Sequence, residues 1–418
     1  MSNAVVDRTL GNGLRLLALR HGVTPLVEVR LHLPSPCLTR RDLAESMLLA
    51  ACLSQRRSTD DGVELSVAAD VYKTTVTASC SVQDVDHLMS ALTEVVEGVP
   101  AEVESVRGQL IAQLRMTRAH PDVAVRSELA RHLFGDHPAT FLVPEEDELT
   151  GIAEPRHRPF DPSGAVLIIL SPDDPERMAD AVEKALAGWR PLARSAPPLP
   201  PLPRIDGGRL ALLPRPGAPQ SRIRLRVQAV TIEHERYPAL FLTCNLLGGY
   251  LSSRLSRSLR EDKGYVYSVI SFFDLQPGSG LLAIEADTSA ATTGAAMEVL
   301  GAELRGMRTR PPTGQEIQVA RTYALGSMAT RMAPRAAFAS ALTDLAAKGM
   351  DPLWLLDFSH RLAAVTPDAV VAAAEEFLTP GRFSGVVAAE PIGLRAGLLT
   401  WHRPVKDEPP PDGPGGGQ

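Results

Sequence analysis

The densest group of side chains that could bind a ligand lies in residues 246–269. A Gly-Gly turn precedes a predicted short helix that carries Arg254, Arg257 and Arg260 at i, i+3 intervals. A predicted strand follows with Tyr265 and Tyr267. Both residue types donate hydrogen bonds, and the default interpretation of such a basic helix is a solvated face beside an edge strand.

Motifs for other chemistries are absent from the sequence. The ten histidines form no H-x-x-H, H-x-x-x-H or H-x-x-E-H pair, and His132 and His137 are poorly spaced for a shared helical metal site. No G-x-S-x-G, P-loop or Rossmann fingerprint occurs. The net charge of −6, without a basic block, gives no support to a nucleic-acid role.

The cysteines and apolar runs bear on the compartment. Cys37, Cys52, Cys80 and Cys244 are scattered without a C-x-x-C pair, which indicates reduced, buried thiols in a cytosolic protein. No apolar run is long enough to span a bilayer, and residues 1–8 contain no apolar signal-peptide region. We therefore expect a cytoplasmic protein without a membrane partner.

The two halves of the chain repeat one another. The predicted strands at 15–19 and 29–33 recur 194 positions later, at 209–213 and 223–227. In both halves a helix follows, then further strands, several amphipathic helices and a late strand. A repeat of this length indicates a duplicated domain, because solenoid repeats are far shorter.

This pattern predicts an α+β fold with two homologous domains, each a β-sheet covered by helices on one face. We place the first domain at 1–190 and the second at 207–403. The Pro-rich stretch 191–206 between them is predicted to be a linker, because its prolines interrupt helix and strand ladders. The Pro/Gly-rich end, 404–418, is predicted to be a disordered tail.

Residues 246–269, called the basic segment below, resemble the second-domain signature of the pitrilysin/insulinase (M16) family of zinc peptidases. The likeness is strongest to the small two-domain type that includes mitochondrial processing peptidase. Residues 260–268 carry the family's R-E-x-x-G-x-x-Y-S spacing, with Arg260 and Tyr267 as its Arg and Tyr. Further segments that resemble the family lie at 133–138, 165–189, 313–316 and 320–326.

The family's catalytic motif is degenerate in this chain. Active members carry H-x-x-E-H on the first helix, where both histidines bind zinc and the Glu is the general base, with a later Glu as third ligand. At these positions the chain has Asp42, Glu45 and Ser46, and the third-ligand position falls near Gln113. Serine and glutamine are poor zinc ligands, so we expect no metal here and an ordinary helix-surface role for Glu45.

The resemblance implies a heterodimer whose zinc is bound by a homologous partner that carries H-x-x-E-H. Arg260 would hold carbonyl or carboxylate groups of a peptide, and Tyr267 would donate a hydrogen bond to the scissile carbonyl oxygen. Tyr265 and Arg254 are weaker candidates; Arg254 would otherwise pack or cap. The implied substrate is a small unfolded peptide, such as the leader of a ribosomal natural-product or cofactor precursor.

Two alternatives remain open at this level. One is a structural or binding homologue without proteolytic output, like the core subunits of respiratory complexes. The other is an independent peptidase that uses Asp42 and Glu45, which stoichiometric tightly bound zinc in the lone chain would favour.

Overall fold

A computed structural model describes residues 5–55, 61–98, 102–153, 155, 160–193, 196–351, 354–390 and 401. These residues form two compact units, the first drawn from 1–203 and 322–363 and the second from 204–321 and 364–418. The domain limits 1–190 and 207–403 and the linker between them stay predictions. The predicted tail, 404–418, lies outside the described residues.

In both units, groups of described strands and groups of described helices follow one another along the chain. The strands are β1 (Val5–Thr9), β2 (Arg15–Arg20), β3 (Leu26–Pro34), β4 (Val63–Ala69), β5 (Lys73–Ser81), β6 (Val166–Ser171), β7 (Leu210–Pro214), β8 (Gln220–Ala229), β9 (Val266–Gln276), β10 (Ser279–Ser289) and β11 (Ser384–Ala389). The helices are α1 (Arg40–Gln55), α2 (Val85–Glu97), α3 (Val103–Ala119), α4 (Pro121–Phe134), α5 (Glu146–Thr150), α6 (Pro175–Ala185), α7 (Tyr237–Cys244), α8 (Thr293–Thr309), α9 (Gly314–Met332), α10 (Arg335–Ala347), α11 (Trp354–Ala363) and α12 (Pro367–Phe377).

The first unit contains a six-stranded sheet in the order β1-β2-β6-β3-β5-β4. Strands β2 and β6 are parallel, and the other neighbours are antiparallel. Strand β6 is buried at every position, as expected for an uninterrupted apolar strand with both faces covered. Strand β5 alternates between buried and half-buried residues, because successive side chains point to opposite faces of the sheet.

Helices pack on both faces of this sheet. On one face, Leu88 of α2 and Val182 of α6 join a buried cluster with Leu16 and Val29. On the other face, Leu342 of α10 and its neighbours pack against alternate residues of β2 and β6. The second layer comes from a helix in the later half of the chain, whose apolar stripe is long enough to cover two strands.

The second unit contains a five-stranded sheet in the order β7-β11-β8-β10-β9. This is the order of β2-β6-β3-β5-β4, with the same parallel and antiparallel neighbours. The sequence repeat is visible in single residues: Arg30 on β3 and Arg224 on β8 are 194 positions apart, and both are buried. The predicted α+β fold with two similar domains is confirmed, but helices pack on both faces of the first sheet and not on one face as predicted, because α10 covers the second face.

Strand β9 is the last strand in the order of the second sheet. Within the described residues β9 pairs with β10 alone, and α7 leads into the segment that packs beside it. Trp401 is buried near α8, where its indole N–H donates to the carbonyl of Met297 at 3.2 Å. None of the helices that the structure describes combines the length and apolar character needed to cross a lipid bilayer.

Candidate functional site

Asp42, at the first zinc-ligand position, is engaged at the N-terminus of α1. Its carboxylate accepts the backbone N–H groups of Leu38 at 3.1 Å and Thr39 at 2.9 Å. The Thr39 hydroxyl in turn accepts the N–H of Asp42 at 3.1 Å. This reciprocal arrangement is a capping box, which satisfies N–H groups that lack partners in the first turn of a helix.

The other motif positions also have local contacts. Glu45 is largely buried and lies 3.3 Å from the Nε of Arg41, and the Ser46 hydroxyl accepts the thiol of Cys37 at 3.6 Å. Gln113 is exposed on α3. Among the residues that the structure describes, no three His, Cys, Asp or Glu side chains are grouped as metal ligands.

These side chains do not fit the zinc that the family resemblance implies for active members. Zinc takes nitrogen, sulfur or anionic oxygen ligands in a tetrahedral set. Ser46 and Gln113 offer only neutral oxygen, and the Asp42 carboxylate oxygen that caps the helix already accepts two N–H groups.

The Gly-Gly turn of the second unit packs directly on edge strand β9. Helix α7 continues into a π-helical turn, Asn245–Gly249. A Cβ atom at Gly248 would lie 2.9 Å from both the backbone nitrogen and the Oγ of Ser271, so the approach requires glycine. The Ser271 hydroxyl donates to the carbonyl of Cys244 at 2.6 Å. These contacts anchor the start of the basic segment to β9.

The middle of the basic segment forms a π-helical turn, Ser256–Glu261, and not the regular helix that the sequence predicts. Its wider winding removes the predicted i, i+3 alignment of the three arginines. Leu259 is buried, whereas Arg257 and Arg260 are exposed and have no ion pair with a described residue. π-Helical turns occur frequently at functional sites.

Arg254 is held by contacts within the second unit. Its Nε and Nη2 bind the two carboxylate oxygens of Glu316 at 3.0 and 3.1 Å, and its Nη1 donates to the carbonyl of Arg310 at 2.8 Å. A bidentate pair of this kind fixes the plane of the guanidinium group. The geometry therefore favours a packing role for Arg254 over direct contact with a peptide.

Tyr267 is the extra residue of a β-bulge in β9. Opposite it on β10, Thr288 pairs with Val266 and Asp287 pairs with Ser268, so that Tyr267 has no partner in the register. Bulges redirect side chains and are common beside active sites. The Tyr267 side chain is 61% exposed and makes no hydrogen bond to a described residue.

Tyr265 has a different environment from Tyr267. It precedes β9 and is half-buried, and its carbonyl accepts the hydroxyls of Thr288 at 2.5 Å and Thr292 at 3.0 Å. Its ring lies 5.9 Å from the ammonium group of Lys263. The two-residue spacing suggests a shared face, but the bulge breaks the alternation between these tyrosines.

The structure thus presents Arg260 and Tyr267 on one exposed segment of the second unit. Gly264, with a φ of +63°, forms the turn between them. Asp42, Glu45, Ser46 and Gln113 belong to the first unit. The roles assigned to all of these residues stay predictions.

Glu316 is a residue of this site that the sequence reading missed. The carboxylate that binds Arg254 also accepts the N–H of Thr313 at 2.8 Å, and the Thr313 hydroxyl accepts the N–H of Glu316 at 3.2 Å. The hydrogen bonds from Arg254, together with those around Thr313, lower the pKa of Glu316 to about 2. The T-x-x-E pattern at the start of α9 predicts the cap, but nothing in the sequence predicts the contact with Arg254.

Residues 156–323 match the family described as "Peptidase M16 inactive domain". Over these residues the chain is similar to that family. The resemblance to the M16 family that the sequence indicates is thereby confirmed.

Curated relatives carry names that agree with this family. An uncharacterized zinc protease of Mycobacterium leprae is 28% identical over 227 residues, which are 53% of this chain and 51% of that protein. The uncharacterized zinc protease YmxG of Bacillus subtilis is 23% identical over 233 residues, 54% of this chain and 56% of that protein. The chain thus spans about half the length of the curated relatives it matches.

Solved structures share the fold over most of the chain. A peptidase M16 inactive domain from Pseudomonas fluorescens has a TM-score of 0.77 at 17% identity and covers 93% of this chain and 98% of its own. A protease from Helicobacter pylori has a TM-score of 0.80 at 16% identity, with 93% and 99% covered. A chain of complex III from Candida albicans has a TM-score of 0.76 at 16% identity, with 95% and 100% covered.

Proposed function

We propose that the chain is the non-catalytic, substrate-binding subunit of a heterodimeric M16-type zinc peptidase. One contrast carries the proposal. Arg260 and Tyr267 are exposed and have no ion pair or hydrogen bond within the described residues, whereas the degenerate zinc-motif residues form local contacts or, at Gln113, offer a poor ligand. A homologous partner with an intact H-x-x-E-H motif would bind the zinc.

The two exposed side chains have complementary roles in this proposal. The planar fork of Arg260 binds carbonyl or carboxylate oxygens of an extended peptide. The Tyr267 hydroxyl donates to the scissile carbonyl oxygen as negative charge develops there. A donor of this kind contributes about 10²–10³ to the rate.

The substrate in this proposal is a small unfolded peptide, because an extended backbone offers the carbonyl groups that such donors bind. A leader segment of a ribosomal natural-product or cofactor precursor is one such peptide, by analogy with the family. We further propose that the complex acts in the bacterial cytoplasm, in line with the reduced state expected for the buried cysteines.

The test is reconstitution with the H-x-x-E-H-bearing homologue encoded in the same genome. We expect peptide cleavage by the mixture and none by either chain alone. Tyr267→Phe should lower kcat about 10²-fold, and Arg260→Ala should lower kcat/KM. Arg257→Ala, on the same π-helical turn, and Tyr323→Phe, at another exposed tyrosine, are the matched controls and should retain activity.

Three outcomes separate the proposal from its alternatives. Cleavage by the metal-washed lone chain would support an independent peptidase. A stable complex with the homologue that has no peptidase activity would support a structural or binding role. Activity in the mixture that survives both Arg260→Ala and Tyr267→Phe would remove the proposed roles of these residues.

A further inference from the structure

We infer that Glu316 is a positioning residue for the segment that carries Arg260 and Tyr267, and that it acts through Arg254. The inference rests on the proposed function, since it concerns the same two side chains. It joins two parts of the second unit that are 62 residues apart in sequence. One is the start of α9, and the other is the beginning of the π-helical turn.

Glu316 is also held in place by contacts other than the one with Arg254. It is the third residue of α9, and its capping box with Thr313 holds the carboxylate beside the first turn of the helix. A side chain locked in this way loses little further conformational entropy when it binds a guanidinium group. The start of α9 therefore offers a rigid anionic anchor.

Arg254 connects the start of α9 to the π-helical turn through its hydrogen bonds. It lies just before the turn, its carbonyl accepts the Ser258 hydroxyl at 2.9 Å, and its Nη1 reaches Arg310 at the end of α8. A chain of hydrogen bonds thus runs from the α8–α9 connection through Arg254 into the segment that presents Arg260.

The pair is shielded from water, which strengthens it. The side chains of Arg254 and Glu316 are 15% and 28% exposed, and exposed ion pairs are worth little by comparison. The phenol of Tyr250 lies near this ion pair. Burial raises the pKa of this phenol, and the Glu316 carboxylate raises it further. A neutral residue at 316 would leave a largely buried guanidinium group without its counter-charge and without the bidentate contact.

Beyond Arg254, the contacts that hold the segment among the described residues lie on its inner side and at Tyr265. The buried Leu255 and Leu259 hold its inner side, and the N–H of Tyr265 donates to the carbonyl of Leu259 at 2.8 Å. Its outer side carries the exposed Arg257, Arg260 and Lys263. Loss of the ion pair should therefore increase local opening of the segment without exposing the core of the unit.

The first experiment is native-state trypsin cleavage of the full chain, with each site resolved by mass spectrometry. In Glu316→Gln we expect cleavage after Arg257, Arg260 and Lys263 to accelerate about tenfold or more, since native-state proteolysis follows the population of the open form. Glu376→Gln is the matched control, because it removes another arginine–carboxylate pair of the second unit, with Arg236. It should leave the three rates unchanged.

The second experiment is a double-mutant cycle in the reconstituted peptidase. Glu316→Gln should lower kcat, Glu316→Asp should recover part of the loss, and Glu316→Gln should have no further effect on kcat in the Tyr267→Phe background. A merely structural role for Glu316 would give additive effects in the two backgrounds.

The outcomes are distinguishable from failure of the proposed function. The trypsin experiment needs neither a partner nor a peptide, and unchanged rates at all three sites in Glu316→Gln would overturn the positioning role. Faster trypsin cleavage with a peptidase that is insensitive to Tyr267→Phe would overturn the proposed function alone. If Glu316→Gln does not fold, Arg254→Lys, which keeps the charge and loses the bidentate geometry, replaces it.

Discussion

The carboxylate of Asp42 accepts the backbone N–H of Thr39 at 2.9 Å, and the hydroxyl of Thr39 accepts the N–H of Asp42 at 3.1 Å. Asp42, which stands at the predicted position of the first zinc ligand of active M16 members, is therefore one of the two residues that form a helix cap here. We predict that Asp42→Ala destabilises the chain by about 1 kcal/mol, the usual loss for a helix cap. Urea unfolding followed by circular dichroism measures the change.

Asp42→Asn provides the control for this prediction. Its amide oxygen still accepts an N–H, so the loss of stability should be smaller than in Asp42→Ala. Equal stability of Asp42→Ala and the wild-type chain would show that the cap contributes nothing, and the Asp42 carboxylate would then be available for another role.

Gly248 should tolerate no side chain. An added Cβ would meet the backbone nitrogen and the hydroxyl of Ser271 at 2.9 Å, so Gly248→Ala should destabilise the chain by about 1–3 kcal/mol. Gly326→Ala is the matched control, because position 326 lies inside α9 with open space around it. There alanine should stabilise the helix by roughly 0.5–1 kcal/mol. Similar effects at both positions in thermal unfolding would contradict the close approach.

His32 should make the chain sensitive to acid. Burial, with a further contribution from Lys73, lowers its pKa to about 4, while the Asp344 carboxylate opposes the shift. The unfolded chain has a histidine pKa near 6.5, so it binds the proton more readily than the folded chain does. The contribution of His32 to stability is therefore complete above pH 6.5 and is lost progressively as the pH falls through 4.

The His32→Gln variant isolates this contribution. It removes the titrating group, so its free energy of unfolding should fall less than that of the wild-type chain between pH 6.5 and pH 4. Urea denaturation at several pH values measures both slopes. Parallel pH profiles for the two proteins would show that His32 is protonated equally well in the folded chain.

His137 connects a turn of the first unit to the Pro-rich stretch. Its Nδ1 accepts the N–H of Ala139 at 3.0 Å, which leaves the proton on Nε2 to donate to the carbonyl of Pro200 at 2.9 Å. Leu199, beside Pro200, packs against a small buried cluster that contains Cys37 and Leu43. We predict that His137→Ala loosens this stretch and increases the reaction rate of the Cys37 thiol with a disulfide reagent by about tenfold.

His120→Ala is the control for this prediction, because His120 caps α4 through Asp122 and has no hydrogen bond to the described residues of the Pro-rich stretch. Mass spectrometry distinguishes Cys37 from the other buried cysteines. Equal Cys37 rates in both variants would show that the bond from His137 to Pro200 does not hold the stretch in place.

Much of the secondary structure was predictable from the sequence. A strand was expected at 223–227, where apolar and charged residues alternate, and the structure has it within Gln220–Ala229. A helix spans Pro367–Phe377. Such segments follow local rules: alternation sets the strand, and Thr366 caps the helix by accepting the N–H of Ala369 at 3.2 Å. The repeat at 194 positions likewise predicted a duplicated domain, and the two sheets share a common strand order.

The basic segment was predicted less accurately. Its arginine spacing indicated a basic face on a regular helix, but the structure has a π-helical turn in which Arg254 is paired and Arg260 is exposed. The alternation rule also failed at Tyr267, because a bulge inserts one residue without changing the sequence pattern.

The sequence alone was sufficient to determine the α+β class, the duplication and the M16 resemblance, and it predicts that Asp42, Glu45 and Ser46 replace the zinc motif. These properties depend on residue identity, on local periods of two to four residues and on the repeat at 194 positions, all of which are visible along the sequence. Folding was needed to show that Asp42 caps a helix, that Glu316 binds Arg254 and that Tyr267 faces solvent. The carboxylate partner of Arg254 lies on another element 62 residues along the chain. The exposure of Tyr267 depends on a bulge in the pairing of β9 with β10, and a one-residue change of register reverses a side chain, so no local pattern determines either feature.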